Sequence, residues 1–148
     1  GMDAGQAYLV SGSAQMDDTS SLSAATAKIS GNTDQAQTGL TVAFAGDVDA
    51  DGHGDILLTG LLDSNASDKS AAYLFLGDGL EPEMTTNQAS AVFLANQSDL
   101  NLASVGMANH DGQYYDTMGP YADYGFSYSD PETNQISVFT MMGQETKE

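Results

Sequence analysis

The chain has 148 residues, with 21 acidic and 3 basic side chains, a formal net charge of -18 and no cysteine. Such a charge excludes nucleic acid as a partner, which needs a basic face, and opposes docking on anionic lipid heads. It suits cations, high salt and solubility. The lack of cysteine excludes disulfides, thiolate metal sites and cysteine catalysis. No apolar run approaches the ~18 residues that read as a membrane span, so membrane insertion is not expected.

Alanine, serine, glycine and asparagine are plentiful and tryptophan is absent, which fits short β segments joined by polar turns better than long helices. Gly1-Met2 reads as a tag remnant, and no signal peptide is recognisable. The first predicted strand is Ala7–Val10, followed by Gly12. Residues 14–26 are small and polar and form a surface loop with one helical turn at Leu22–Ala25. A short strand, Ala27–Gly31, and a polar loop, Asn32–Thr38, come next. Gly39–Gly46 and Ile56–Gly60 are predicted strands on either side of an aspartate-rich stretch. Asp63–Ser70 is a turn, Ala71–Leu76 a strand, and Asp78–Gln88 a connection between repeats.

A second set of segments then follows in the same order. Ala91–Ala95 matches Ala27–Gly31, and Leu102–Ala108 corresponds to the strand before the aspartates. Tyr124, Phe126 and Tyr128 alternate within 121–128 as in a half-buried strand. Asp130–Asn134 is a turn, Ile136–Met142 the last strand, and residues 144–148 a frayed tail. The words Ala7-Tyr8-Leu9-Val10, Ala72-Tyr73-Leu74-Phe75 and Val138-Phe139-Thr140-Met141 are copies, with Gly12, Gly77 and Gly143 in matching places. Gly77 lies 65 residues after Gly12, and Gly143 lies 66 after Gly77. A period of this size marks repeated supersecondary units, here with room for four strands each.

The stretch Asp47-Val48-Asp49-Ala50-Asp51-Gly52-His53-Gly54-Asp55 carries the chemistry. Ca²⁺ takes about 6–8 oxygen ligands and accepts them from a short curled loop. Alternate residues of such a loop point inward, so Asp47, Asp49 and Asp51 can converge. Gly52 supplies the positive φ of the sharp turn, His53 its backbone carbonyl, and Asp55 the closing carboxylate. An EF-hand would need helical flanks and a glutamate at the twelfth position. The flanks here are strands and that position is Leu58, so an EF-hand is excluded. The second copy, Asn109–Asp116, keeps Asn109, Asp111 and Gly112, while its closing Asp116 comes one residue late; weak calcium binding or none is expected there.

Other candidate chemistry is thin. His53 and His110 both lie in turns without an evident nucleophile or base partner, and no Gly-x-Ser-x-Gly elbow is present. No acid pair stands out for glycoside hydrolysis among so many carboxylates. Tyr114, Tyr115, Tyr121, Tyr124, Phe126 and Tyr128 fit strand packing better than sugar stacking. Asn65-Ala66-Ser67 and Asn96-Gln97-Ser98 match the glycosylation pattern and are read as chance. Catalysis is not expected. Partner contacts are expected on loops, at Asp63–Ser70 and Tyr114–Tyr124.

Three words together resemble an FG-GAP repeat. These are Gly39-x-x-Val42, Gly46-Asp47-x-Asp49-x-Asp51-Gly52-x-x-Asp55-Ile56-Leu57-Leu58, and Ala71-Ala72-Tyr73-Leu74-Phe75-Leu76-Gly77. The resemblance covers residues 24–79. Two family words differ, with Thr38-Gly39 standing for Phe-Gly and Gly60-Leu61-Leu62 for Gly-Ala-Pro. Such repeats build the β-propeller of integrin α subunits and occur in bacterial surface proteins. The resemblance implies an all-β fold of antiparallel four-stranded blades forming part of a propeller. Its parts would be a strand and linker from a preceding repeat (1–23), the calcium repeat (24–79), a degenerate second repeat (89–143) and a tail (144–148). It implies a calcium-stabilised extracellular or cell-surface binding and adhesion module whose ligand is a protein or a glycan. The alternatives are a non-catalytic propeller segment of a secreted enzyme and a lectin-like propeller. Two blades and an orphan strand do not close a ring, so self-association or a place in a larger propeller is expected.

Overall fold

The computed structural model describes residues 2–12, 21–62, 70–94, 101–107, 124–129 and 136–141. These residues form an all-β structure of three sheets, with 3-10 turns and no α-helix. The ten strands, in chain order, are β1 (Gln6–Leu9), β2 (Ala27–Ser30), β3 (Val42–Gly46), β4 (Asp55–Leu61), β5 (Ser70–Phe75), β6 (Glu83–Thr85), β7 (Ala91–Leu94), β8 (Asn101–Met107), β9 (Tyr124–Ser129) and β10 (Ile136–Met141). The first sheet has the order β1-β2-β6, the middle sheet β3-β4-β5-β7 and the third β10-β9-β8.

The middle sheet is an antiparallel meander. Its two inner strands read as continuous apolar runs, Ile56-Leu57-Leu58 and Ala71-Ala72-Tyr73-Leu74-Phe75, because both faces are covered. On one face Ile56, Leu58, Ala71, Tyr73 and Phe75 join Ile29 and Met84 of the first sheet in a core cluster. On the other face Ala45, Leu57, Ala72 and Leu74 form a second cluster, with Ala91 and Phe93 against it, and β8 lies against β3, β4 and β5. Burial of each of Phe75, Leu57 and Leu58 contributes about 1.5–3 kcal/mol relative to exposure. Tyr73 keeps its ring in the core by donating its hydroxyl to the Leu61 carbonyl, 3.0 Å away.

The repeat seen in the sequence is carried into the hydrogen-bond register. In the first sheet Gln6, Ala7, Tyr8 and Leu9 stand opposite Ser30, Ile29, Lys28 and Ala27. In the middle sheet Ala71, Ala72, Tyr73 and Leu74 stand opposite Leu94, Phe93, Val92 and Ala91. Moving β1 by 65 positions and β2 by 64 converts the first set of pairs into the second without exception. The six pairs of β4 with β5 map in the same way onto those of β9 with β10, by 68 and 66 positions. So β1–β2 corresponds to β5–β7, and β8–β9–β10 to β3–β4–β5.

Three details differ from the sequence reading. The strand predicted at Gly39–Gly46 starts at Val42, because Gly39 has φ +87° and both Gly39 and Leu40 donate their N–H groups to the Thr59 carbonyl in a turn. The connection Asp78–Gln88 contains β6, which pairs parallel to β2. The sequence repeat and the sheet are out of phase: Ala27–Ser30 pairs with β1, while Ala91–Leu94 closes the middle sheet on the free edge of β5. The loop 109–116, Asp63–Lys69 and the Tyr114–Tyr121 aromatics lie outside the described residues. Among the described residues no closed sheet is formed, and no helix is long and apolar enough to cross a membrane.

Candidate metal centre

The aspartate loop joins the end of β3 to the start of β4, two paired strands, so its ends are fixed side by side. A register shift between Phe44 and Gly46 turns the chain out of the ladder just before Asp47. Within the loop, Ala50 has φ +63° and Gly52 φ +89°. The glycine adopts this conformation freely, whereas Ala50 is held there against its preference.

Backbone N–H groups organise the carboxylates. Asp47 accepts from the Asp51 N–H at Oδ1 (3.1 Å) and from the Gly52 N–H at Oδ2 (2.9 Å). Asp49 Oδ1 accepts from Asp51 N–H at 3.3 Å. Asp55 is fully buried. Its Oδ2 accepts from Val48 N–H at 2.6 Å, and its Oδ1 from Gly77 N–H at 2.8 Å. Asp55 therefore ties the loop to its own start and to the turn after β5. Each of these oxygens retains a lone pair for a second partner.

Asp47, Asp49 and Asp55 each offer one carboxylate oxygen, and these atoms lie within 4.8 Å of one another. Oxygens bound to one calcium at about 2.3–2.6 Å stand at most about 4.6–5.2 Å apart, so a single cation can reach all three. Of the five predicted ligand residues, these three are brought together. Asp51 is turned aside: its Oδ1 accepts from His53 N–H at 2.6 Å, and its Oδ2 is 3.4 Å from the exposed His53 ring. The crowding shows in Asp49. Loss of water around its carboxyl raises the pKa above the ordinary 3.8, the hydrogen bond from Asp51 opposes this, and the charges of Asp51, Asp55 and Asp47 raise it further.

Two supports of the site are absent from the sequence reading. They are the N–H groups of Val48 and Gly77, which are backbone donors with no side-chain signature. The one available signal was Gly77 itself, which ends the repeated strand word. It sits so close to the loop that a Cβ there would stand 2.5 Å from the Gly54 carbonyl oxygen and 2.9 Å from His53 Cβ.

The register also bears on the second loop. The β4–β9 correspondence maps Ile56 onto Tyr124, so the sequence position matching Asp55 is 123, an aspartate, and not Asp116. No protein-family profile matches the chain, and neither a curated protein nor a solved structure does.

Proposed function

We propose that this chain is a calcium-stabilised, non-catalytic binding module of the FG-GAP type, whose stacked sheets serve as propeller blades presenting loops to an extracellular protein or glycan. The observation that carries the reading is the convergence of Asp47, Asp49 and Asp55 between two paired strands. The recurrence of the β1–β2 pairing in β5–β7 supports repeated units, as propeller blades require. A loop that supplies several carboxylates from one flexible turn suits calcium. Magnesium demands near-ideal octahedral geometry and keeps several waters, so an all-protein cage of this kind suits it less well.

The role of the ion is structural. Its binding to the folded state alone stabilises by RT ln(1 + [L]/Kd), about 2.7 kcal/mol at one hundred times Kd. Melting in EDTA, in millimolar CaCl₂ and in millimolar MgCl₂ tests the reading. Calcium raises the melting temperature and magnesium raises it less; no calcium shift, together with no heat of calcium binding by titration calorimetry, rejects it.

A further inference from the structure

We infer that a cation in the aspartate loop clasps the first sheet to the middle sheet, by fixing the root of the crossover that carries β6, a role that rests on the loop holding calcium.

The crossover is residues 76–90. It leaves the middle sheet after β5, adds β6 to the first sheet and returns to the middle sheet as β7. In the first sheet Glu83, Met84 and Thr85 stand parallel to Lys28, Ile29 and Ser30 of β2. The Pro82 carbonyl accepts from Lys28 N–H at 3.0 Å, and Lys28 Nζ lies 3.0 Å from Glu83 Oε1. Met84 is buried in one cluster with Ile29 of β2 and with Ile56, Tyr73 and Phe75 of the middle sheet, and Leu80 packs on that cluster. The crossover therefore enters the seam between the two sheets.

Its root lies on the metal loop. Gly77 N–H donates to Asp55 Oδ1 at 2.8 Å. A Cβ at Gly77 would stand 2.5 Å from the Gly54 carbonyl oxygen, so the crossover starts in backbone contact with the loop. The 3-10 turn Gly77–Gly79 begins at this point, with Gly79 N–H donating to the Leu76 carbonyl. Asp55 also offers an oxygen to the cluster with Asp47 and Asp49. One buried carboxylate thus serves both the cation and the crossover. Lifting the crossover breaks the Gly77 bond and leaves that carboxylate short of a partner. A cation shared with Asp47 and Asp49 holds it where it accepts from Gly77.

A second connection, residues 31–41, joins β2 to β3 and is fastened at the opposite end of β4. There Leu61 N–H donates to the Ala36 carbonyl, and the Gly39 and Leu40 N–H groups to the Thr59 carbonyl. These bonds use no residue of the aspartate loop, so the cation governs one fastening and not the other. The crossover is the one built to open. Its strand β6 has three residues, and Asp78, Gly79, Glu81, Pro82 and Glu83 are exposed. Short, exposed segments of this kind open ahead of the core.

Hydrogen exchange of the whole chain, read amide by amide in EDTA and across a calcium titration, tests this, with Kd taken from calorimetry. In EDTA the amides of Lys28, Gly77 and Gly79 exchange ahead of those of Leu57 and Leu58. Calcium slows the first three by a factor of 1 + [Ca]/Kd, about a hundredfold at one hundred times Kd, because the open form loses the site. The Gln35 and Gln37 amides, which donate to the carbonyls of Met2 and Asp3 beside the other fastening, keep their rates. Asp49→Ala removes the slowing by calcium but not the protection seen in EDTA. Asp55→Asn speeds exchange at Lys28, Gly77 and Gly79 in EDTA already. Calcium binding without slowing at these three amides overturns the inference and leaves the calcium reading standing. Equal slowing at Gln35 and Gln37, or exchange of the crossover at the core rate in EDTA, overturns it as well, since the sheets then open only with the whole fold. Absence of calcium binding in calorimetry rejects the calcium reading and the clasp with it.

Discussion

Replacing Asp55 by alanine separates the architectural role of the loop from its metal role. Asp55 is fully buried, and each of its oxygens accepts one backbone N–H, from Val48 and from Gly77. A hydrogen bond to a charged group contributes about 1.5–3 kcal/mol, and its loss here strands a donor. The substitution should therefore cost about 3–6 kcal/mol with no metal present, against about 5–15 kcal/mol for a whole domain. With an m-value of about 2 kcal/mol per molar, the urea midpoint in EDTA falls by about 2 M. The calcium-dependent increment disappears as well. Asp49→Ala is the control. Asp49 is exposed and accepts one long bond, so in EDTA its removal leaves the midpoint nearly unchanged, while the calcium increment is lost. Urea titrations of the three proteins in EDTA and in calcium, followed by circular dichroism, give the answer. An Asp55→Ala midpoint in EDTA equal to that of the parent would refute the account of Asp55 as the brace of the loop.

Calcium affinity should fall as pH drops, because the Asp49 carboxyl titrates above its ordinary 3.8 and a proton competes with the ion. In the metal-free protein the sign is opposite. A raised folded-state pKa makes Asp49 contribute stability below the unfolded value, and that contribution is lost as pH rises through the folded one. Calorimetric titration with calcium at neutral and acid pH checks the first point, and Asp49→Asn should flatten the profile. Gly77→Ala forces a Cβ against the Gly54 carbonyl oxygen, which should cost about 1–3 kcal/mol and weaken calcium binding by displacing the N–H that holds Asp55. Denaturation and calorimetric calcium titration read the two effects. Thr59→Val removes the buried hydroxyl that accepts from Thr41 N–H at 3.1 Å and pairs with Thr41 Oγ1 at 2.8 Å; a loss of about 1 kcal/mol is expected in thermal melts.

Much of this architecture was legible one residue at a time. The apolar runs Ile56–Leu58 and Ala71–Phe75 read as strands, and strands they are, buried along their length. The spacing of Asp47, Asp49, Asp51 and Asp55 between two strands predicted converging carboxylates, and the strand ends bring three of them, Asp47, Asp49 and Asp55, together. The repeated word around Tyr8 and Tyr73 predicted equivalent strands, and the register bears this out pair by pair. These features depend on local alternation and spacing, which a chain carries without knowing its neighbours.

Other features were settled only when distant segments met. The edge of β5 could have ended a sheet; it is Ala91–Leu94, and not the strand at Ala27, that pairs there. A strand edge is a row of unpaired donors and acceptors, and the sequence does not say which later segment will satisfy it. The short strand β6 forms because it meets β2 far away in sequence, with no alternation of its own to announce it. Asp51, indistinguishable from its neighbours by spacing, accepts the His53 N–H at 2.6 Å, a contact that only the folded loop makes. Asp55 looked like one more ligand. Its burial and its bonds to Val48 and Gly77 make it the residue that holds the loop to the sheet, since those donors belong to backbone that only the folded chain brings within reach.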